Sequence, residues 1–120
     1  MESIQEQSCI FCSIAAKDTP SEIVYQDDQV VAIKDINPQA PVHILLIPRE
    51  HNLESLNDAS GLDVGMLGHL LYTAAKVANQ MEIAESGYRV VINTGEASGQ
   101  SVPHLHVHIL GGRDLTWPPG

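Results

Sequence analysis

One stretch near the end of the chain carries residues able to do chemistry at regular spacing: Pro103-His104-Leu105-His106-Val107-His108-Ile109-Leu110, closed by Gly111-Gly112. Histidine alternates with a branched aliphatic residue three times. Alternation with period two is a strand signal, because successive side chains point to opposite faces. Leu105, Val107 and Ile109 are predicted to face the core, and His104, His106 and His108 to share the other face. That face holds three of the chain's six histidines, where Thr, Lys or Glu would solvate a strand equally well. Reach disfavours one metal held by all three, while leaving room for two of them to share one. The outer two backbone positions lie about 13 Å apart at roughly 3.3 Å per residue, and a zinc–nitrogen bond is only about 2 Å. The pattern points instead to a rigid imidazole platform flanking one anionic substrate, with His106 at its centre. Imidazole near neutral pH is a good nucleophile toward phosphorus, provided that one ring nitrogen is bare and the other donates to a fixed acceptor.

Further residues have a chemical reading beside a plain one. His43, in the apolar run Val42–Ile47, is either a satisfied core histidine or a residue backing the nucleophile. Gly95-Glu96-Ala97-Ser98-Gly99-Gln100-Ser101 is either a turn or, with free N–H groups beside the histidines, an anion cradle. Asp35 suits a turn cap. Cys9 and Cys12 read as core cysteines, as a redox pair, or as half of a tetrahedral zinc site that two histidines would complete.

The elements that must position these residues follow from the rest of the chain. Its 120 residues suit one domain, 1–120, with a polar start over 1–8 expected to be frayed. A short helix-like pattern covers 9–17 and is broken at Thr19-Pro20-Ser21. Glu22–Gln26 and Gln29–Lys34 form a predicted hairpin around Asp27-Asp28, and Val42–Ile47 a central strand. Helical spacing of Leu62, Met66, Leu67, Leu70, Leu71, Ala74, Val77, Ala78 and Met81 predicts a long helix from Ser60 to Met81. Ser60 and Asp63 suit its N-cap, and Gly65 and Gly68 allow close packing against another element. His69 in this helix reads as a surface or dimer contact. Gly87–Asn93 is a further strand. The outcome is an α+β domain with an antiparallel sheet.

A net charge of −9 with six scattered basic residues argues against binding nucleic acid as a polymer. No apolar run approaches the roughly 20 residues of a membrane span, and the N-terminus lacks a basic start and an apolar signal core. A cytoplasmic location is expected.

His-Leu-His-Val-His-Ile-Leu matches the pattern His-φ-His-φ-His-φ-φ, with φ hydrophobic, at every position. The chain therefore resembles the histidine triad superfamily, in its Hint branch (histidine triad nucleotide-binding proteins), from Cys9-Ile10-Phe11 to Trp117-Pro118-Pro119-Gly120. Asp35-Ile36-Asn37-Pro38-Gln39-Ala40-Pro41 and Gly99-Gln100-Ser101-Val102 look like the same branch, while Pro103 departs from the bulkier residues also seen there. The resemblance implies an antiparallel sheet of about five strands with one long and one short helix. It also implies a homodimer paired through long helices and central strands.

For the site, it implies His106 as nucleophile, His104 and His108 as phosphate-facing partners, and His43 as a fourth active-site histidine. Ser101 becomes a donor to phosphate or leaving group, within a nucleotide-binding segment that includes Gly99 and Gln100. Asn93 becomes a phosphate or ribose contact and Asp35 an acceptor for ribose hydroxyls. Ile10, Phe11, Ile14, Ile33 and Ile36 become a slot for a purine base. A structural zinc falls to Cys9, Cys12, His51 and His104, with no cofactor needed for catalysis. The tail 112–120, with Trp117, is implied to lie near the partner's active site. The activity implied is hydrolysis of purine nucleoside phosphoramidates, including aminoacyl-adenylates such as lysyl-AMP, through a nucleotidyl-histidine. The alternatives are dinucleoside polyphosphate hydrolysis and a non-catalytic nucleotide-binding or interaction module.

Overall fold

The computed structural model describes residues 9–17 and 20–120; the expected fraying of 1–8 and Thr19 of the expected break lie outside them. Five strands form one antiparallel sheet: β1 (Ile23–Gln26), β2 (Val30–Lys34), β3 (Val42–Pro48), β4 (Tyr88–Val91) and β5 (Val107–Gly111), in the order β1-β2-β3-β5-β4. The helices are α1 (Ile10–Ala15) and α2 (Val64–Gln80). This is the expected α+β architecture, with one long and one short helix. Among the described residues, no helix is long and apolar enough to cross a membrane.

The sheet is covered on both faces, so β2 and β3 read as unbroken apolar runs and not as alternating ones. On one face, Val30, Ala32, Ile44, Leu46, Val107 and Ile109 pack against Leu70, Ala74, Val77 and Ala78 of α2. On the other, Val31, Ile33, Leu45 and Ile47 pack against Phe11 and Ile14 of α1. Six residues make too short a helix to stand alone in water. Packing holds α1, and Arg49 clamps its end, donating from Nη1 to the Ala15 carbonyl (3.1 Å) and from Nε to the Asp27 carbonyl (2.7 Å). The β1–β2 turn is closed by Asp27, whose Oδ1 accepts from the N–H groups of Gln29 (2.8 Å) and Val30 (2.9 Å).

Four local expectations need correction. The long helix does not begin at Ser60: Ser60 and Asp63 form the expected capping box, but it caps a 3-10 turn, Gly61–Asp63, that leads into α2. A side chain added at Gly65 or Gly68 would meet nothing within 4 Å, so neither is a close-packing point within the chain. His69 is not simply a surface residue, because its Nε2 lies 2.8 Å from Asp27 Oδ2 and ties α2 to the β1–β2 turn. The histidine strand starts late, at Val107, since the Leu105 N–H is taken by the Leu53 carbonyl (2.9 Å) instead of a neighbouring strand.

Candidate active site

Two neighbouring strands and the segments before them deliver the imidazoles. β3 pairs with β5 so that Leu45 faces His108 across the ladder. His43, two residues before Leu45, therefore shares a face with His108, and diagonal neighbours on one face are within reach of long side chains. His43 Nε2 lies 2.9 Å from His108 Nδ1 and 3.4 Å from Asp35 Oδ2. Asp35 is held by the turn after β2, where its Oδ1 accepts from the Asn37 N–H (2.8 Å).

His106 comes from the segment just before β5. Its ring is edge-on to Phe11 (centroids 4.8 Å apart) and to His108 (5.1 Å). Its Nδ1 lies 2.7 Å from the His104 carbonyl oxygen. A carbonyl only accepts, so Nδ1 carries the proton and Nε2 keeps its lone pair. Burial lowers the pKa of His106, opposed by that hydrogen bond and by the charge of Asp35. Burial also lowers His43, again opposed by Asp35. His108 is pushed down to about 4, by burial first and then by His106 and His43. At neutral pH the group is uncharged, as a nucleophilic imidazole requires.

His104 departs from expectation. It is fully buried, with Nε2–H donating to the Pro48 carbonyl (2.8 Å) and Nδ1 facing Cys9 Sγ (3.3 Å) and Cys12 Sγ (3.5 Å). Both ring nitrogens are committed to the protein, so its side chain does not face a phosphate beside His106. The cause is not its face, since His104 lies against Phe11 as His106 does; Cys9 and Cys12 at the start of α1 and the carbonyl ending β3 engage its ring.

His104 instead joins the second cluster. Donor atoms of Cys9, Cys12, His51 and His104 all lie within 4.8 Å of one another. Cys12 Sγ is 3.3 Å from His51 Nδ1, whose Nε2–H donates to the Pro103 carbonyl (2.7 Å). In both rings a backbone acceptor fixes the proton on Nε2, which leaves Nδ1 as a ligand-ready lone pair. With zinc bonds of about 2.3 Å to sulfur and 2.0–2.1 Å to nitrogen, a tetrahedral site has S···N edges of about 3.6 Å. The separations of 3.3–3.5 Å and the Cys2His2 donor set fit such an ion.

The loop before the triad follows the turn reading over much of its length. A 3-10 turn, Glu96–Ser98, closes it on itself. The N–H of Gly95 goes to Gln100 Oε1, those of Ser98 and Gln100 to the Gly95 carbonyl, and that of Gly99 to the Glu96 carbonyl. The Gln100 side chain braces this turn, its Nε2 donating to the carbonyls of Glu54 (2.6 Å) and Val102 (3.1 Å). Ser101 is exposed and lines an open groove with Glu54, Asp58 and Glu96. Asn93 is half-buried just past β4. Of the five slot residues, Phe11, Ile14 and Ile33 sit in the buried cluster under α1, whereas Ile36 (98% exposed) and Ile10 (46%) stand at the surface. Trp117 is exposed, on a tail anchored where Arg89 donates to the Thr116 carbonyl (2.9 Å).

The model of the HIT domain matches residues 16–115. The chain belongs to the HIT domain family. Three HIT relatives are similar over nearly all of it. A 14 kDa zinc-binding protein of Zea mays is 50% identical over 100% of this chain and 94% of its own length. Adenylylsulfatase HINT1 of Arabidopsis thaliana is 52% identical over 92% of this chain and 76% of its own. The purine nucleoside phosphoramidase of Escherichia coli is 49% identical over 91% of each. The crystal structure of a HIT family hydrolase from Legionella pneumophila superposes with a TM-score of 0.91 at 43% identity, covering 94% of this chain and all of that one.

Several groups that build this HIT site have no signature in the sequence. The carbonyls of His104, Pro48 and Pro103 fix three imidazole tautomers, yet backbone acceptors are the same at every position. Phe11 was legible as apolar, but its ring edge against His106 follows only from where α1 docks.

Proposed function

We propose that this HIT protein hydrolyses purine nucleoside phosphoramidates, AMP- or GMP-linked amines, through a covalent nucleotidyl-histidine on His106. The observation that carries the reading is the 2.7 Å bond from His106 Nδ1–H to the His104 carbonyl, which leaves Nε2 bare in a buried, uncharged cluster. Nε2 attacks the α-phosphorus, the phosphorus–nitrogen bond breaks, and the amine departs with a proton supplied from the Ser101 side or from solvent. Water then attacks the phosphorus–Nε2 bond, releasing the nucleoside monophosphate and restoring the imidazole. Splitting one displacement into two in this way lowers each barrier. We assign His108 to the phosphate, Asp35 to the ribose hydroxyls as well as to His43, and Ile10, Phe11 and Ile36 to the purine.

The E. coli relative's name supports the phosphoramidate reading. Glu54, Asp58 and Glu96 beside Ser101 support a cationic leaving group, as in lysyl-AMP, over a polyphosphate. A zinc ion held by Cys9, Cys12, His51 and His104 would supply a structural crosslink between α1 and the triad segment. Every catalytic group named here is the protein's own. The reading keeps the homodimer, the single domain with its tail beside the partner's site, and the cytoplasmic location.

The test is steady-state turnover of an adenosine phosphoramidate bearing a lysine-like amine against a dinucleoside polyphosphate. The proposal expects kcat/KM higher for the phosphoramidate by at least about 10²-fold, equal to about 2.7 kcal/mol of transition-state discrimination. Preference for the polyphosphate selects the first alternative, and nucleotide binding without turnover of either selects the second.

A further inference from the structure

Beside the nucleophile, Asp35, His43 and His108 bring one carboxylate oxygen and two ring nitrogens within 4.8 Å of one another, close enough to invite a divalent cation. A hydrogen bond on the far side of His43 argues otherwise. The backbone N–H of Gln39, in the loop between β2 and β3, donates to His43 Nδ1 at 3.0 Å. A backbone amide can only donate, so Nδ1 must hold a lone pair, and in the neutral ring the proton sits on Nε2. That Nε2–H faces His108 Nδ1 at 2.9 Å, with Asp35 Oδ2 as a weaker second acceptor at 3.4 Å. His108 Nδ1 therefore accepts, and the only proton of the neutral His108 ring lies on its Nε2.

We infer that the Gln39 amide sets a one-way chain of protons, Gln39 N–H to His43 to His108, that makes His108 a standing Nε2–H donor beside the bare Nε2 of His106. His43 is then a positioning residue and not a base. It cannot accept a proton on Nδ1 without losing the Gln39 bond, nor ligate a cation through Nε2 without first giving up the Nε2 proton. The two neighbouring rings present opposite faces of imidazole chemistry, a lone pair from His106 and a donor from His108, and each is set by a different backbone group. That pairing suits a phosphoryl group, whose phosphorus needs the lone pair and whose oxygen needs the donor. The loop 36–41 thereby becomes part of the machinery, through the backbone of a residue whose side chain points elsewhere: Gln39 Nε2 donates to the Asn37 carbonyl. This use of the donor rests on the phosphoryl-substrate reading above; the proton positions do not.

Long-range proton–nitrogen correlation NMR on histidine-labelled protein at pH 7.5 reads each tautomer directly, with assignments from single His→Gln variants. The inference expects His43 and His108 each as a pure Nε2–H tautomer. Either ring as Nδ1–H, or as a fast average of the two forms, would overturn it. Gln39→Pro removes the N–H, and a His43 Nδ1–H population should then appear. Gln39→Ala keeps the amide and should keep the wild-type pattern. A folded Gln39→Pro protein with unchanged tautomers contradicts the role given to this amide. The wild-type spectrum decides the proton positions even if that variant fails to fold. Because the readout needs no substrate, fixed tautomers without phosphoramidate turnover would sink only the function proposed above. Turnover with mixed tautomers would sink only this inference.

Discussion

At the scale of single residues, the site depends on imidazoles kept neutral. The pKa values of His43 and His108 are lowered, mainly by burial, and His108 is pushed to about 4. Protonating either ring would cost the donor arrangement between them, so activity should survive acidification that charges an ordinary histidine of pKa about 6.5. The acid limb of the kcat/KM profile is expected below pH 6.5. A limb centred at 6.5 or above would contradict the neutral cluster. Asp27 works with the opposite sign. Burial alone would raise its carboxyl, but donors from Gln29, Val30, Tyr25 and His69 outweigh burial and hold it well below the usual carboxylate range. Its folded pKa is thus below its unfolded one near 3.8, so its stabilisation is complete above about pH 4 and is lost as pH falls further. Asp27→Ala should lower stability by about 2 kcal/mol at pH 7 in urea unfolding, and the difference from wild type should shrink below pH 4. A difference that stays constant to pH 2 would remove the carboxylate from this role.

At the scale of elements, α1 is the part whose stability is borrowed. It is held by Phe11 and Ile14, by Arg49, and by the cluster of Cys9, Cys12, His51 and His104. Chelation, or Cys12→Ser, should therefore speed amide exchange in α1 about 10-fold or more while leaving β2 and β3 protected. Equal loss of protection in the central strands would mean that the cluster supports the whole fold. This element also marks how far the sequence could be read. Apolar spacing located α1, α2 and the strands, and the histidine alternation placed His106 and His108 correctly. The face assignment holds for His104 as well, which lies against Phe11 like His106; what the pattern could not report is that Cys9, Cys12 and the Pro48 carbonyl engage its ring nitrogens. Likewise in the glycine loop, the N–H groups of Gly95, Ser98, Gly99 and Gln100 look free in sequence and are taken up within the loop. Side-chain patterns report which face is apolar. They do not report where backbone donors and acceptors are spent.

At the scale of the whole molecule, the outer face of α2 and its approach is unusually apolar. Leu62, Val64, Leu71 and Tyr72 are all more than half exposed. Exposed apolar side chains along one helix and its approach mark an interaction surface, and in this proposal it is the homodimer contact. Leu71→Glu should convert a particle of twice the chain mass into one of single mass in analytical ultracentrifugation; an unchanged mass would place the dimer contact elsewhere. Covalent catalysis at His106 is tested by rapid-quench turnover of an adenosine phosphoramidate by wild type and His106→Asn, with AMP binding measured in parallel. The expected result is a burst of amine release with AMP held on wild type, and a fall in kcat of at least about 10³-fold in the variant with AMP affinity retained. A variant that turns over at a rate near wild type, or a wild type that binds AMP and never forms the adduct, would contradict covalent catalysis at His106.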